Sequence, residues 1–152
     1  MTVPAELLRP FRPRAARWVA SVLLVLVVAA VPVLLAVLSA AGLEMSWPDR
    51  YGAVLIAVAL AWVCFRQARV VATPDDTGLT VRNVVRTRRL EWAQVVAVRF
   101  GPNHPWAQLD LADGTTLPVM AVQTADGEHG RKEAGRLAAL LRLHEPGEPP
   151  AR

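Results

Sequence analysis

Hydrophobic and polar positions divide the chain into stretches of different rhythm. From Trp18 to Leu43 there is no ionisable side chain, and from Tyr51 to Phe65 there is none that is charged at neutral pH. Beyond Phe65 the apolar positions break into short alternating runs. Read as a helix, the first apolar stretch is roughly 39 Å long, enough to cross a hydrocarbon core of about 30 Å with some tilt. Peptide groups in lipid must bond within the segment, so a lone spanning stretch is helical. Pro32 predicts a kink near its middle, and Gly42 predicts its end. The second stretch is about 22 Å as a helix, which is short for a span. Tyr51 and Trp62 suit the lipid–water interface, however, and Arg50 and Arg66 at the flanks can reach out to water. Two spans are therefore expected, over about residues 18–43 and 50–66, joined by a short loop. One span plus a helix lying in the interface is the alternative. A cleaved leader is a further alternative, because arginines precede the first run and Ser39-Ala40-Ala41 offers small residues. The run nevertheless exceeds the roughly 7–15 residues of a leader's apolar region.

After residue 68 the period becomes that of strands. Arg69–Thr73 reads as a strand closed by the turn-forming Pro74-Asp75-Asp76-Thr77-Gly78. Leu79–Arg82 alternates, and after a bend near Asn83 a further strand is expected over Thr87–Trp92. Val95–Phe100 places Val96, Val98 and Phe100 on one face. Gly101-Pro102-Asn103-His104-Pro105 interrupts the chain, and Trp106–Leu111 then alternates with Leu109 and Leu111 inward. Asp113-Gly114 suits a two-residue hairpin turn, which needs positive φ, with Thr115–Val122 as partner strand. Asp126 is a candidate cap for a helix running to about Leu143. Ala134, Leu137, Ala138 and Leu141 form its apolar stripe, widened by Leu140, with Arg131, Lys132, Arg136 and Arg142 largely off it. Six strands followed by one amphipathic helix predict a small twisted sheet structure with one open end plugged by that helix.

Composition sharpens this picture in one respect. The 53% of hydrophobic residues and 20% of charged ones average two kinds of chain, so whole-chain hydropathy describes neither. The net charge of +4 divides into +3 over residues 1–17, −1 over 44–50 and +2 over 66–152. Arg9, Arg12, Arg14 and Arg17 precede the first apolar stretch, and Arg66 and Arg69 follow the second. The positive-inside rule then places both termini in the cytoplasm of a multi-pass protein of the cell membrane. The basic residues form no single concentrated face, so nucleic acid is not an expected partner. Cys64 is the one cysteine, which leaves no intrachain disulfide and no cysteine-based zinc site. The plan is a basic cytoplasmic N-terminus over 1–17, two membrane helices over 18–66, a compact domain over 67–144 and a disordered tail over 145–152.

Three stretches carry a resemblance. They are Gly78-Leu79-Thr80-Val81-Arg82-Asn83, Arg86-Thr87-Arg88-Arg89-Leu90-Glu91-Trp92 and Trp106-Ala107-Gln108-Leu109-Asp110-Leu111-Ala112-Asp113-Gly114. Together they resemble the bacterial pleckstrin-homology (PH) domains of actinobacterial membrane proteins of the low-molecular-weight protein antigen type. The resemblance covers most of residues 50–145 and implies a membrane helical hairpin followed by an α+β PH-like domain. That domain would be a small orthogonal sandwich or barrel of six to seven antiparallel strands capped by a C-terminal helix. The motifs concern the fold and imply no activity.

The candidate chemistry is modest. Arg82, Arg86, Arg88 and Arg89 loosely match the base, spacer, base-x-base arrangement of phosphoinositide-binding PH domains, and arginine forks suit phosphate. A domain tethered at a membrane also meets anionic headgroups. The competing reading is a solvated strand edge whose charges discourage edge-to-edge pairing. His104 and Trp106, beside the Gly101–Pro105 loop, are candidates for a partner-binding rim. His104, His129 and His144 lack ligand spacing, and Asp75-Asp76 and Asp110/Asp113 read as turn and strand residues, so neither a metal, a cofactor nor acid–base catalysis is expected. No phosphate loop or nucleophile elbow is present in the sequence. The expected function is a membrane-anchored interaction module without catalytic activity, binding a protein partner at the inner face of the membrane. Binding or sensing anionic lipid headgroups is the alternative.

Overall fold

The computed structural model describes residue 4 and residues 6–43 and 45–144. Residues 145–152, expected to form a disordered tail, lie outside the described residues. The chain divides into two compact units, one made of residues 16–69 and the other of the residues up to 15 together with those from 70 onward.

The first unit contains α1 (Arg14–Ala40) and α2 (Trp47–Ala68). Both are long and apolar enough to cross a membrane. At 22 residues α2 extends past the apolar stretch at both ends and reaches about 33 Å. Gly42 at φ +70° ends α1, with the N–H of Leu43 donating to the Leu38 carbonyl and that of Gly42 to Ser39. Ser46 caps α2, its hydroxyl accepting from the Asp49 N–H, with Pro48 in the first turn.

The second unit holds two three-stranded antiparallel sheets and a closing helix. Strands β1 (Val71–Pro74), β2 (Gly78–Arg82) and β3 (Thr87–Glu91) pair in that order, as do β4 (Val95–Arg99), β5 (Trp106–Leu111) and β6 (Thr116–Gln123). Helix α3 (Glu128–His144) packs against β4, β6 and the short 3₁₀ turns Trp92–Gln94 and Thr124–Asp126. The core joins Leu79, Val81 and Leu90 of one sheet to Leu109, Leu111 and Val119 of the other, closed by Leu137, Leu140 and Leu141 of α3. Gly130 is required where α3 meets β6, because a Cβ there would lie 2.0 Å from the Gln123 carbonyl oxygen.

Residues 7–15 complete this unit. Phe11 is wholly buried and exchanges both backbone hydrogen bonds with Ala72 of β1, at 2.8 and 3.1 Å. Arg136 of α3 lies 3.8 Å over the Phe11 ring and donates to the carbonyls of Leu7 and Arg9 at 3.1 and 2.7 Å, with Glu133 as its ion-pair partner. Arg136 is thus a clamp.

Three expectations are corrected. Val96 does not face inward. A bulge between Val95 and Ala97 shifts the register, leaving Val96 59% exposed and Val95 buried in its place. Asp126 does not cap α3. Its carboxylate accepts from the backbone N–H groups of Arg14 and Ala15, at 3.0 and 2.8 Å, and so caps the start of α1. The β5–β6 turn has three residues, not two. Leu111 N–H bonds the Thr115 carbonyl, and only Gly114 takes positive φ.

Removing the Phe11 ring empties a fully packed site. Phe11→Ala is expected to lower stability by about 3–5 kcal/mol, read as a fall in the thermal unfolding midpoint of the full chain in detergent. An unchanged midpoint would show that this segment does not belong to the core.

Candidate functional site

The arginines singled out in the sequence lie on or beside the β2–β3 hairpin, and strand geometry separates them. The register pairs Val81 with Arg88, Thr80 with Arg89 and Arg82 with Thr87. Directly opposed residues share a face. Arg88 therefore lies on the inner side with Val81, while Arg82 and Arg89 lie on the outer side with Thr80 and Thr87. The hairpin closes through the Asn83 N–H donating to the Arg86 carbonyl, leaving Val84 and Val85 at its tip.

Arg88 and Arg89 each meet an aspartate of an Asp-x-Thr turn. In the β1–β2 turn, Asp75 Oδ1 accepts from the N–H and hydroxyl of Thr77 and from the Gly78 N–H. Arg89 adds an ion pair to Asp75 at 3.0 Å and a bond to the Thr77 hydroxyl at 2.8 Å. In the β5–β6 turn, Asp113 Oδ1 accepts from the N–H and hydroxyl of Thr115, and Arg88 approaches its other oxygen at 3.6 Å. The first contact stays within one sheet, whereas the second spans both. Arg82 and Arg86 are exposed and form no ion pair among the described residues. Val85 beside Arg86 is 77% exposed.

The two corners between the sheets differ. At the β2 side, the Asn83 amide donates to the Pro118 carbonyl at 2.7 Å and accepts from the Met120 N–H at 3.2 Å, stitching the hairpin to β6. At the β3 side a recess of about 330 Å³ remains, lined by Arg88, Leu90, Gln94, Leu111, Ala112 and Asp113. Neither the Asn83 fork nor this recess was legible in the residue pattern. The fork depends on an asparagine that sequence reading marks only as a bend.

His104 and Trp106 are both half-buried, one in the loop before β5 and the other at its start. His104 Nδ1 contacts Gln108 Nε2 at 3.2 Å, and the His104 carbonyl accepts from the Thr124 hydroxyl. Trp106 is half-buried at the start of β5, opposite Gln123. The other tryptophan of this unit, Trp92, is in the core, stacked on His144 at 4.9 Å with its Nε1 donating to the Asp75 carbonyl. Among the described residues, no three of His, Cys, Asp and Glu are grouped to hold a metal ion.

Both turn aspartates hold their protons less tightly than an ordinary carboxyl. For Asp75 the main cause is the Thr77 hydroxyl, with further help from backbone N–H groups and Arg89. For Asp113 it is the Thr115 hydroxyl and N–H, then Arg88. A depressed folded pKa contributes stability that is fully present above the unfolded value of about 3.9 and is lost as pH falls through the folded value. The unfolding midpoint is therefore expected to hold steady down to about pH 5 and drop below about pH 4. In Asp75→Asn/Asp113→Asn that drop should be shallower, measured by circular dichroism across the pH series. Parallel curves for the two proteins would contradict this.

Comparison with known proteins agrees with the geometry. The family model described as Bacterial PH domain matches residues 67–140. An uncharacterised protein of Mycobacterium tuberculosis is 29% identical over 113 residues, covering 74% of this chain and 73% of the relative. Low molecular weight protein antigen 6 of Mycobacterium tuberculosis is 35% identical over 85 residues, covering 56% of this chain and 72% of the relative. No solved structure shows a significant match.

Proposed function

The chain belongs to the bacterial PH-domain family, and from that premise we propose that it is a membrane-anchored, non-catalytic module that holds a protein partner at the cytoplasmic face of the cell membrane. The observation that carries the anchoring is the pairing of Phe11 with Ala72. One residue precedes α1 and the other follows α2, so the chain leaves the domain and returns to it at neighbouring points. Such an insertion must cross a bilayer an even number of times. Two helices of spanning length satisfy that condition, and the arginines flanking them favour the cytoplasm for both ends. Only Arg69 and Val70 separate α2 from β1.

Support for a binding role comes from how the charges are used. Asp75, Asp110, Asp113 and Glu133 are each paired with an arginine and serve turns, strands or the clamp. That is the behaviour of structural carboxylates. A second reading has an observation of its own. Arg82 and Arg86, without ion-pair partners among the described residues, flank the exposed Val85 and suit contact with anionic headgroups.

Two measurements test this. With Cys64 replaced by alanine, a cysteine at Met45 should react with an impermeant maleimide on intact cells, and one at Asn103 only after lysis. The reverse pattern, or equal labelling of both, would refute the anchoring. Crosslinking in native membranes should give a stoichiometric protein adduct on the domain that survives Arg82→Glu/Arg86→Glu. Loss of all adducts, together with liposome binding that follows anionic lipid content, would favour the lipid reading instead.

A further inference from the structure

The partner reading leaves open which surface binds and what it takes. Sheet edges are where an extended segment can add, because an edge strand offers unpaired N–H and C=O groups. On one side of the first sheet, β1 already carries Phe11 through two backbone hydrogen bonds. In the second sheet, β4 is distorted by its bulge at Val96, and α3 packs against it. The other side of the first sheet ends at β3, with no further strand among the described residues.

The hydrogen-bond phase of β3 is fixed at both ends. Asn83 N–H bonds the Arg86 carbonyl, and Trp92 N–H bonds the Thr77 carbonyl. Bonded pairs alternate along an antiparallel ladder. Arg88 and Leu90 therefore face β2, while Thr87 and Arg89 turn their N–H and C=O groups outward. Beside this edge, on the inner side, lies the recess floored by Leu90 and Leu111 with Ala112 at its rim. Inner-face positions alternate with outer-face ones in any strand added here. One apolar side chain of such a strand would enter the recess, and its neighbours would point outward, past Arg89. Arg86, Arg88 and Arg89 make the edge basic, and the 3.6 Å contact of Arg88 with Asp113 is long enough for a competing carboxylate to take the arginine over.

We propose that β3 is a docking edge for an extended acidic segment of a protein partner, with main-chain pairing at Thr87 and Arg89 and one apolar side chain seated between Leu90 and Leu111. This rests on the protein-partner reading and specifies its surface. The recess, at about 330 Å³, has room for an apolar side chain. The arginines select acidic flanks and reject basic ones by like-charge repulsion.

The test uses the full chain in lipid nanodiscs and a displayed library of random ten-residue peptides. Enriched peptides should carry one apolar residue between acidic ones, and their binding should slow hydrogen exchange at the Thr87 and Arg89 amides. Thr87→Pro removes one outward N–H without touching a bond to β2 and should weaken those peptides about tenfold. Ala112→Trp fills the recess from an exposed turn and should weaken them by about as much. Unchanged unfolding midpoints show that both variants fold. No enrichment, enrichment of basic peptides, equal binding to both variants, or Thr87 and Arg89 amides already protected in the free chain would each overturn the proposal. If partner adducts from native membranes map elsewhere on the domain, this edge is ruled out while the interaction module stands.

Discussion

Phe11 and Ala72 hold each other by two backbone hydrogen bonds, and the guanidinium of Arg136 closes over the Phe11 ring. The rest of the chain is organised by this junction. It recruits residues from before the apolar helices into the core of the domain that follows them. The helical hairpin becomes an insertion in one domain, and the covalent path leaves and re-enters at adjacent strands. A guanidinium is costly to bury, and here it is met by two carbonyls, a carboxylate and an aromatic face. Asp126 adds to the junction by capping α1 as soon as it leaves the domain.

The same economy governs the surface of the sheets. Two Asp-x-Thr turns, one in each sheet, organise their own loops and then receive Arg89 and Arg88. Exposed ion pairs contribute little free energy, so their consequence is geometric. They orient two of the four arginines and leave Arg82 and Arg86 open to solvent. One corner between the sheets is stitched by Asn83 and the other is left as a recess. The asymmetry leaves β3 without a further strand among the described residues, with an apolar depression beside it.

Much of this was legible in the sequence. The uncharged runs from Trp18 and Tyr51 marked both helices, and alternation marked all six strands in order. Gly42 marked the end of α1, and the stripe through Ala134, Leu137 and Leu141 marked the buried face of α3. The failures share a physical cause. Val96 lies beside a bulge, and one extra residue reverses the facing that alternation predicts. Asp126 precedes a helix in sequence yet caps a different helix, because capping is decided by which N–H groups lie near. Phe11 and Arg136 sit 125 positions apart, in a basic tail and on a helix flank, and no local period relates them. The candidate arginines were found as a group, but strand parity divided them, and the open edge beside them depends on hydrogen-bond phase that residue identity does not encode.

The segment before α1 is a structural part of the PH-like domain. Native-state hydrogen exchange of the full chain in nanodiscs tests it most directly. The amides of Phe11 and Ala72 are expected to exchange as slowly as those of Leu79 and Val81 in β2. A rapidly exchanging Phe11 beside a protected β2 would contradict it.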